Sequence, residues 1–168
     1  MHEILVLGIG NLILRDEGIG IHVIQELEKD DAFAQKVDLL DGGTGGYFLV
    51  HEVAKYKHIV LVDASLDDFP TGTVRVIHPK FASDYPPMLS AHEFGLKHMI
   101  DALIFLETIP EIHLVVISVE DYQEIGLEMS EQVSEAIPIA IKSVKEIVEQ
   151  IVQETKVPHL KNEVIQLN

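Results

Sequence analysis

Three short runs of mostly branched apolar residues, Ile4-Leu5-Val6-Leu7, Ile59-Val60-Leu61-Val62 and Ile112 to Val119, constrain the fold of this chain more than anything else in it. They have the length of strands, and their near-continuous apolar character is what a strand covered on both faces requires. Longer stretches of helical period lie between them. Ile21, Ile24 and Leu27 fall on one face of a helix over 19–27. Val37 to Leu40 reads as a second strand, and a helix is expected over about 46–56. The alternation in Thr73-Val74-Arg75-Val76-Ile77-His78 marks a half-exposed or edge strand. Pro79 to Ser90 is an irregular loop, and a helix is expected from about Ala91 to Leu106. The last helical region spans 130–153, with Val133, Ile137, Ala140, Ile141, Val144, Ile147, Val148 and Ile151 on one stripe. Pro138 should kink or split it. Alternating strands and helices of this kind predict an α/β three-layer sandwich on a mostly parallel sheet. No linker or repeat interrupts it, so one domain is expected over 1–156, with 157–168 a loosely attached tail.

The balance of charge narrows the partners. Twelve basic residues face 28 acidic ones, a net charge of -16. Such a surface repels phosphate backbones and anionic lipid headgroups, which argues against nucleic acid and membrane partners. Solubility alone accounts for the charge without any function. The absence of cysteine removes disulfides, thiolate zinc sites and thiol catalysis. The N-terminus does not read as a signal peptide, and no apolar stretch is long enough to span a bilayer. A cytoplasmic protein is the expectation.

In a sheet of this class, ligands bind beyond the carboxyl ends of the strands. That rule selects the segments after Leu7, Leu40 and Val62, which carry Asp16-Glu17, Asp41-Gly42-Gly43 and Asp63. The first, Gly8-Ile9-Gly10-Asn11 through Gly20, departs from a dinucleotide fingerprint because Ile13 stands where the third glycine is needed. Two adjacent acids in it would also repel a pyrophosphate. Helix capping is the ordinary role of acids at such a position, and it accounts for Asp16 better than for Glu17. Asp63 terminates a strand that should be central, where a carboxylate is costly unless hydrogen-bonded, paired or bound to a metal. A carboxylate bonded to the N–H groups of the following turn is an equal alternative for Asp63, and for Asp41.

Among nine histidines, His2, His113 and His159 read as surface or strand-edge residues, and His22, His51 and His98 fall on helices. His92 begins a helix after the irregular loop, from where it can project into the cleft; alone, it would pass for a surface histidine. One acid from each of two loops plus one histidine makes an open oxygen–oxygen–nitrogen set suited to a divalent first-row metal. The zinc-protease helix motif and the Gly-x-Ser-x-Gly turn are both absent. On the residues alone, a metal-dependent hydrolase is one reading among several.

Four motifs sharpen it: Gly8-x-Gly10-Asn11 with Asp16-Glu17-Gly18-x-Gly20, Asp41-Gly42-Gly43-Thr44-x-Gly46, Val62-Asp63-Ala64, and Ser90-x-His92-x-x-Gly95-Leu96. In order, interval and total length the chain resembles the hydrogenase maturation endopeptidases over about residues 3 to 150. The resemblance implies a five-stranded sheet with one antiparallel strand, for which the strand near Val74 is the candidate. It implies an endopeptidase, aspartyl-endopeptidase-like in its reliance on carboxylates, that removes a C-terminal extension from the large-subunit precursor of a nickel-iron hydrogenase. Carried onto this chain, the metal-binding positions are Glu17, Asp63 and His92. The metal would be nickel supplied by the substrate, with zinc or cadmium able to occupy the site in a crystal.

Substrate thiolates hold such a nickel, so oxygen and nitrogen ligands from the protease can add to its coordination without competing. Asp41 is the candidate auxiliary acid or base, and Asn11, Asp16, Gly42, Gly43 and Thr44 are candidate substrate contacts. Where many relatives have a glycine and a Gln-Pro pair, this chain has Ser118 and then Glu120-Asp121, followed by Gly126-Leu127-Glu128-Met129-Ser130. That departure makes the rim of the cleft more acidic and bears on which hydrogenase is recognised. Competing readings are a non-catalytic nickel or precursor-binding chaperone, a nucleotide-binding module and a broad metal-dependent peptidase. A monomer is expected.

Overall fold

The branched apolar runs form the middle of one sheet. In the computed structural model, which describes residues 2–79, 96–107, 109–120 and 125–156, five strands are present. They are β1 (Ile4–Gly8), β2 (Asp38–Asp41), β3 (His58–Ser65), β4 (Val74–Ile77) and β5 (Glu111–Ser118). Their order across the sheet is β2-β1-β3-β5-β4. The pairs β1–β2, β1–β3 and β3–β5 are parallel, and β4 runs antiparallel on the β5 edge. The alternating strand near Val74 is thus the antiparallel one.

Each strand divides its side chains between two apolar layers, as a period of two dictates. Ile4, Val6, Val60, Val62, Ala64, Val115 and Ile117 face one cluster, which is completed by α1 (Ile19–Leu27), α2 (Asp31–Ala34) and α5 (Glu131–Lys156). Leu5, Leu7, Ile59, Leu61, Ile112, Leu114 and Val116 face the other, completed by α3 (Val50–Val53) and α4 (Leu96–Phe105). This is the three-layer sandwich expected from the sequence.

Three elements differ from expectation. The helix expected over 46–56 is a single 3₁₀ turn, Gly46–Leu49, followed by the short α3. Helix α5 is not split by Pro138 but runs unbroken over 26 residues. Pro138 lies on its exposed side, where water can take the hydrogen bond that the missing N–H would have made. Asp63 does not end its strand, because β3 continues through Ala64 and Ser65, paired with Ile117 and Ser118. No described helix is long and apolar enough to cross a membrane. The tail at 157–168 lies outside the described residues.

Candidate active site

The carboxyl ends of β1 and β3 are brought together by backbone packed on backbone. Strand β1 stops pairing at Gly8, opposite Val62, so Asp63 is the first β3 residue without a β1 partner. Ile9 donates its N–H to the Val62 carbonyl at 2.9 Å, and Gly10 donates to the Gly43 carbonyl at 2.9 Å, tying the three loops into one rim. Gly20, in the first turn of α1, makes this possible. A Cβ there would stand 2.2 Å from the Ile9 carbonyl oxygen and 2.4 Å from that of Val62, so no larger residue lets α1 approach so closely. Gly10 adopts φ 154° and leaves room for the Glu17 carbonyl, 2.1 Å from where its Cβ would be.

Glu17 sits in a 3₁₀ turn, Arg15–Gly18, that leads straight into α1. Its residue is 1% exposed and Asp63 is fully buried, so two acids share the interior at the strand ends. Asp63 Oδ1 accepts the Ala64 N–H at 2.8 Å, while its Oδ2 is buried with no hydrogen-bond partner among the described residues. Burial pushes the Asp63 carboxyl well above the usual carboxylate range. The Ala64 N–H opposes that shift and the negative charge of Glu17 adds to it. Asp63 therefore has a strong tendency to hold a proton.

The other sequence candidates are placed as follows. Asp16 is buried and accepts the Ser130 N–H at 2.6 Å, so it caps the approach to α5 rather than α1. Asn11 Oδ1 accepts from Ile13 N–H at 3.2 Å and shapes the first loop. Asp41 is the last residue of β2; it is exposed, and its Oδ1 accepts the Gly43 N–H at 2.9 Å in a turn built on Gly42, Gly43 and Thr44. That turn reaches the first loop through the Gly43 carbonyl. His92 lies outside the described residues.

Sequence reasoning missed the clamp on the first loop. Leu14 bridges Gly126 in parallel, Arg15 N–H donates to the Gly126 carbonyl at 3.0 Å, and Arg15 Nε donates to the Glu128 carbonyl at 2.9 Å. Arg15 holds φ 45°, a left-handed conformation uncommon for a residue with a side chain. These contacts join segments more than 100 residues apart, and no spacing in the sequence marked them.

A mostly parallel sheet with two interior acids gathered near the carboxyl end of β1 defines a three-layer α/β protein with a buried carboxylate pair. The model of the hydrogenase maturation protease family matches residues 21–148. Hydrogenase expression/formation protein HupD of Thiocapsa roseopersicina is 34% identical over 154 residues, covering 88% of this chain and 68% of its own. Hydrogenase 2 maturation protease of Escherichia coli is 34% identical over 112 residues, 65% of this chain and 68% of that one. Among solved structures, the hydrogenase maturating endopeptidase HybD from E. coli superposes with a TM-score of 0.77 at 29% identity, covering 89% of this chain and 93% of that one. The chain belongs to the hydrogenase maturation protease family, and it is a peptide hydrolase.

Proposed function

We propose that this protein removes the C-terminal extension of a nickel-iron hydrogenase large-subunit precursor after nickel has been inserted. Glu17, Asp63 and His92 would engage the nickel carried by the substrate. The observation that carries this reading is Asp63: a fully buried carboxylate with one oxygen unpartnered among the described residues, beside a second buried acid. An interior pair of acids is costly for a fold to maintain, and a divalent cation from outside compensates both charges at once. Hard oxygen ligands also suit an ion whose thiolate ligands come from elsewhere.

The chemistry then has a simple order. The precursor's nickel docks against the acids, and Asp63 gives up the proton that burial favours, since a carboxylate ligates only when ionised. Docking fixes the scissile bond relative to the cleft, which turns a bimolecular encounter into an aligned one. Water polarised by the substrate's nickel, or deprotonated by a carboxylate, attacks the peptide carbonyl. Asp41, on the same rim and exposed, is the candidate auxiliary acid or base. The turn at Gly42, Gly43 and Thr44, together with Asn11, offers backbone and side-chain contacts to the extension.

The test is cleavage of a purified large-subunit precursor, with and without nickel, followed by mass spectrometry. Loss of the extension only from the nickel-loaded precursor, abolished by Glu17→Ala and by His92→Ala, is the expected result. Cleavage that ignores nickel, or that survives both substitutions, would refute the metal-recognition reading. Tight binding without cleavage would refute the protease reading for this precursor.

A further inference from the structure

A second group of metal-binding side chains lies at the amino ends of β3 and β5, the opposite end of the sheet from Glu17 and Asp63. His58 opens β3 and is paired directly with Glu111, which opens β5; His113 is two residues further along β5. The period of two therefore puts His58, Glu111 and His113 on one face, the side covered by α5. One ligand atom from each of the three lies within 4.8 Å of the others. His58 Nδ1 is 3.2 Å from one Glu111 oxygen, and His113 Nε2 is 3.7 Å from the other.

These spacings suit a shared ion. Metal–nitrogen and metal–oxygen bonds of about 2.0–2.2 Å in a tetrahedron separate neighbouring ligand atoms by roughly 3.3–3.6 Å. The two imidazole atoms concerned, His58 Nδ1 and His113 Nε2, are buried and make no hydrogen bond among the described residues. His113 is only 8% exposed, so its unbonded nitrogen is an interior polar atom aimed at the Glu111 carboxylate. The opposite nitrogen of the same ring is occupied: His113 Nδ1 meets Nδ1 of His78, just beyond β4, at 2.7 Å, with the rings edge to face. A partner on the far nitrogen is how proteins fix the tautomer and direction of a ligating imidazole. His58 also lines an open cavity of about 220 Å³ beside Ile4, Lys36 and Val152, and the Glu111 side chain is exposed, so two of the three residues are reached from solvent.

We propose that His58, Glu111 and His113 bind one divalent first-row transition ion of the zinc type, with His78 orienting His113. Two nitrogens and one oxygen leave a fourth position for water. Because the ligands come from two paired strands, and His78 follows a third, the ion would staple the amino ends of β3 and β5 and the end of β4.

The test uses the untagged full chain carrying Glu17→Gln and Asp63→Asn, so that the cleft does not report. The chain is stripped with a chelator and titrated with Zn²⁺ against a chromophoric competitor, with the melting temperature followed in parallel. One equivalent should bind and raise the melting temperature. Adding Glu111→Gln, at an exposed position that tolerates the change, should abolish both effects, and so should His58→Gln. His78→Ala should weaken binding by about tenfold or more. A folded chain that binds no zinc, or one whose zinc binding survives both Glu111→Gln and His58→Gln, would overturn the proposal.

Discussion

Asp16 accepts a hydrogen bond from the backbone N–H of Ser130, 114 residues away, at 2.6 Å, and so joins the turn bearing Glu17 to the entrance of α5. Asp16 is the immediate neighbour of Glu17 in the same 3₁₀ turn. Asp16→Ala should therefore leave the Ser130 N–H without its partner and lower stability by about 1–2 kcal/mol. Denaturant unfolding would read that loss as a shift in midpoint at constant slope. Processing should fall by more than the stability loss explains, because the turn carrying Glu17 is loosened. Unchanged processing would show that the cleft does not need this clamp.

Asp63 gives a prediction with a definite sign in pH. Its folded carboxyl holds a proton well above the usual range, so the folded chain keeps a proton that the unfolded chain has released. The stability linked to Asp63 is thus fully present below the unfolded value near 3.8 and is lost as pH rises toward the raised folded one. Asp63→Asn removes the charge and this dependence together. In metal-free protein the variant should melt higher than the parent at neutral pH, by about 2–4 °C for each kcal/mol relieved, and the gap should close in acid. The same variant should be inactive. A variant that melts lower at neutral pH would show that Asp63 is ionised and compensated in the folded chain.

Gly20 has no conservative replacement. Gly20→Ala would drive a methyl group into the carbonyls of Ile9 and Val62, and backbone cannot swing aside as a side chain can. The expected cost is about 1–3 kcal/mol, with α1 displaced from the strand ends. Since the turn bearing Glu17 leads into α1 and Asp63 directly follows Val62, processing should be lost even below the melting transition. Thermal unfolding and cleavage measured on the same preparation separate the two effects. Gly43→Ala makes the comparison: nothing lies within 4 Å of its Cβ position, so only the φ of 51° opposes it. It should cost less, about 1 kcal/mol.

The sheet was readable because β1, β3 and β5 are covered on both faces, and that burial writes itself into unbroken apolar runs. Helix α1 was equally plain, since Ile21, Ile24 and Leu27 all face the core. Asp63 stood out for the reverse reason, an acid on a strand that should be buried, and Glu17 through the glycines that flank the Asp16-Glu17 pair in a strand-end loop. Long-range relationships were not readable. The bonds from Asp16 to Ser130 and from Arg15 to Gly126 and Glu128 are made largely by backbone groups, which every residue possesses and no spacing advertises. His113 was taken for a strand-edge or surface residue, yet it lies in the interior. Its neighbours in sequence are the same as those of an edge histidine, and only the pairing with β3 and the layer of α5 cover it. The helix expected over 46–56 broke into two short turns, in a segment that opens with Gly45-Gly46.

The clamp on the first loop also has a consequence for a chain emerging from the ribosome. By the time β3 has been made, both interior acids and the glycines that bring them together are present. Gly126, Glu128 and Ser130, which grip Leu14, Arg15 and Asp16, are still to be translated. Domains acquire structure from the amino end as they are synthesised, yet the loop bearing Glu17 waits for its last fastening until residues 126–130 have been added. A growing chain thus carries both interior acids, from the completion of β3 until Ser130 is added, before the clamp that fixes their loop exists.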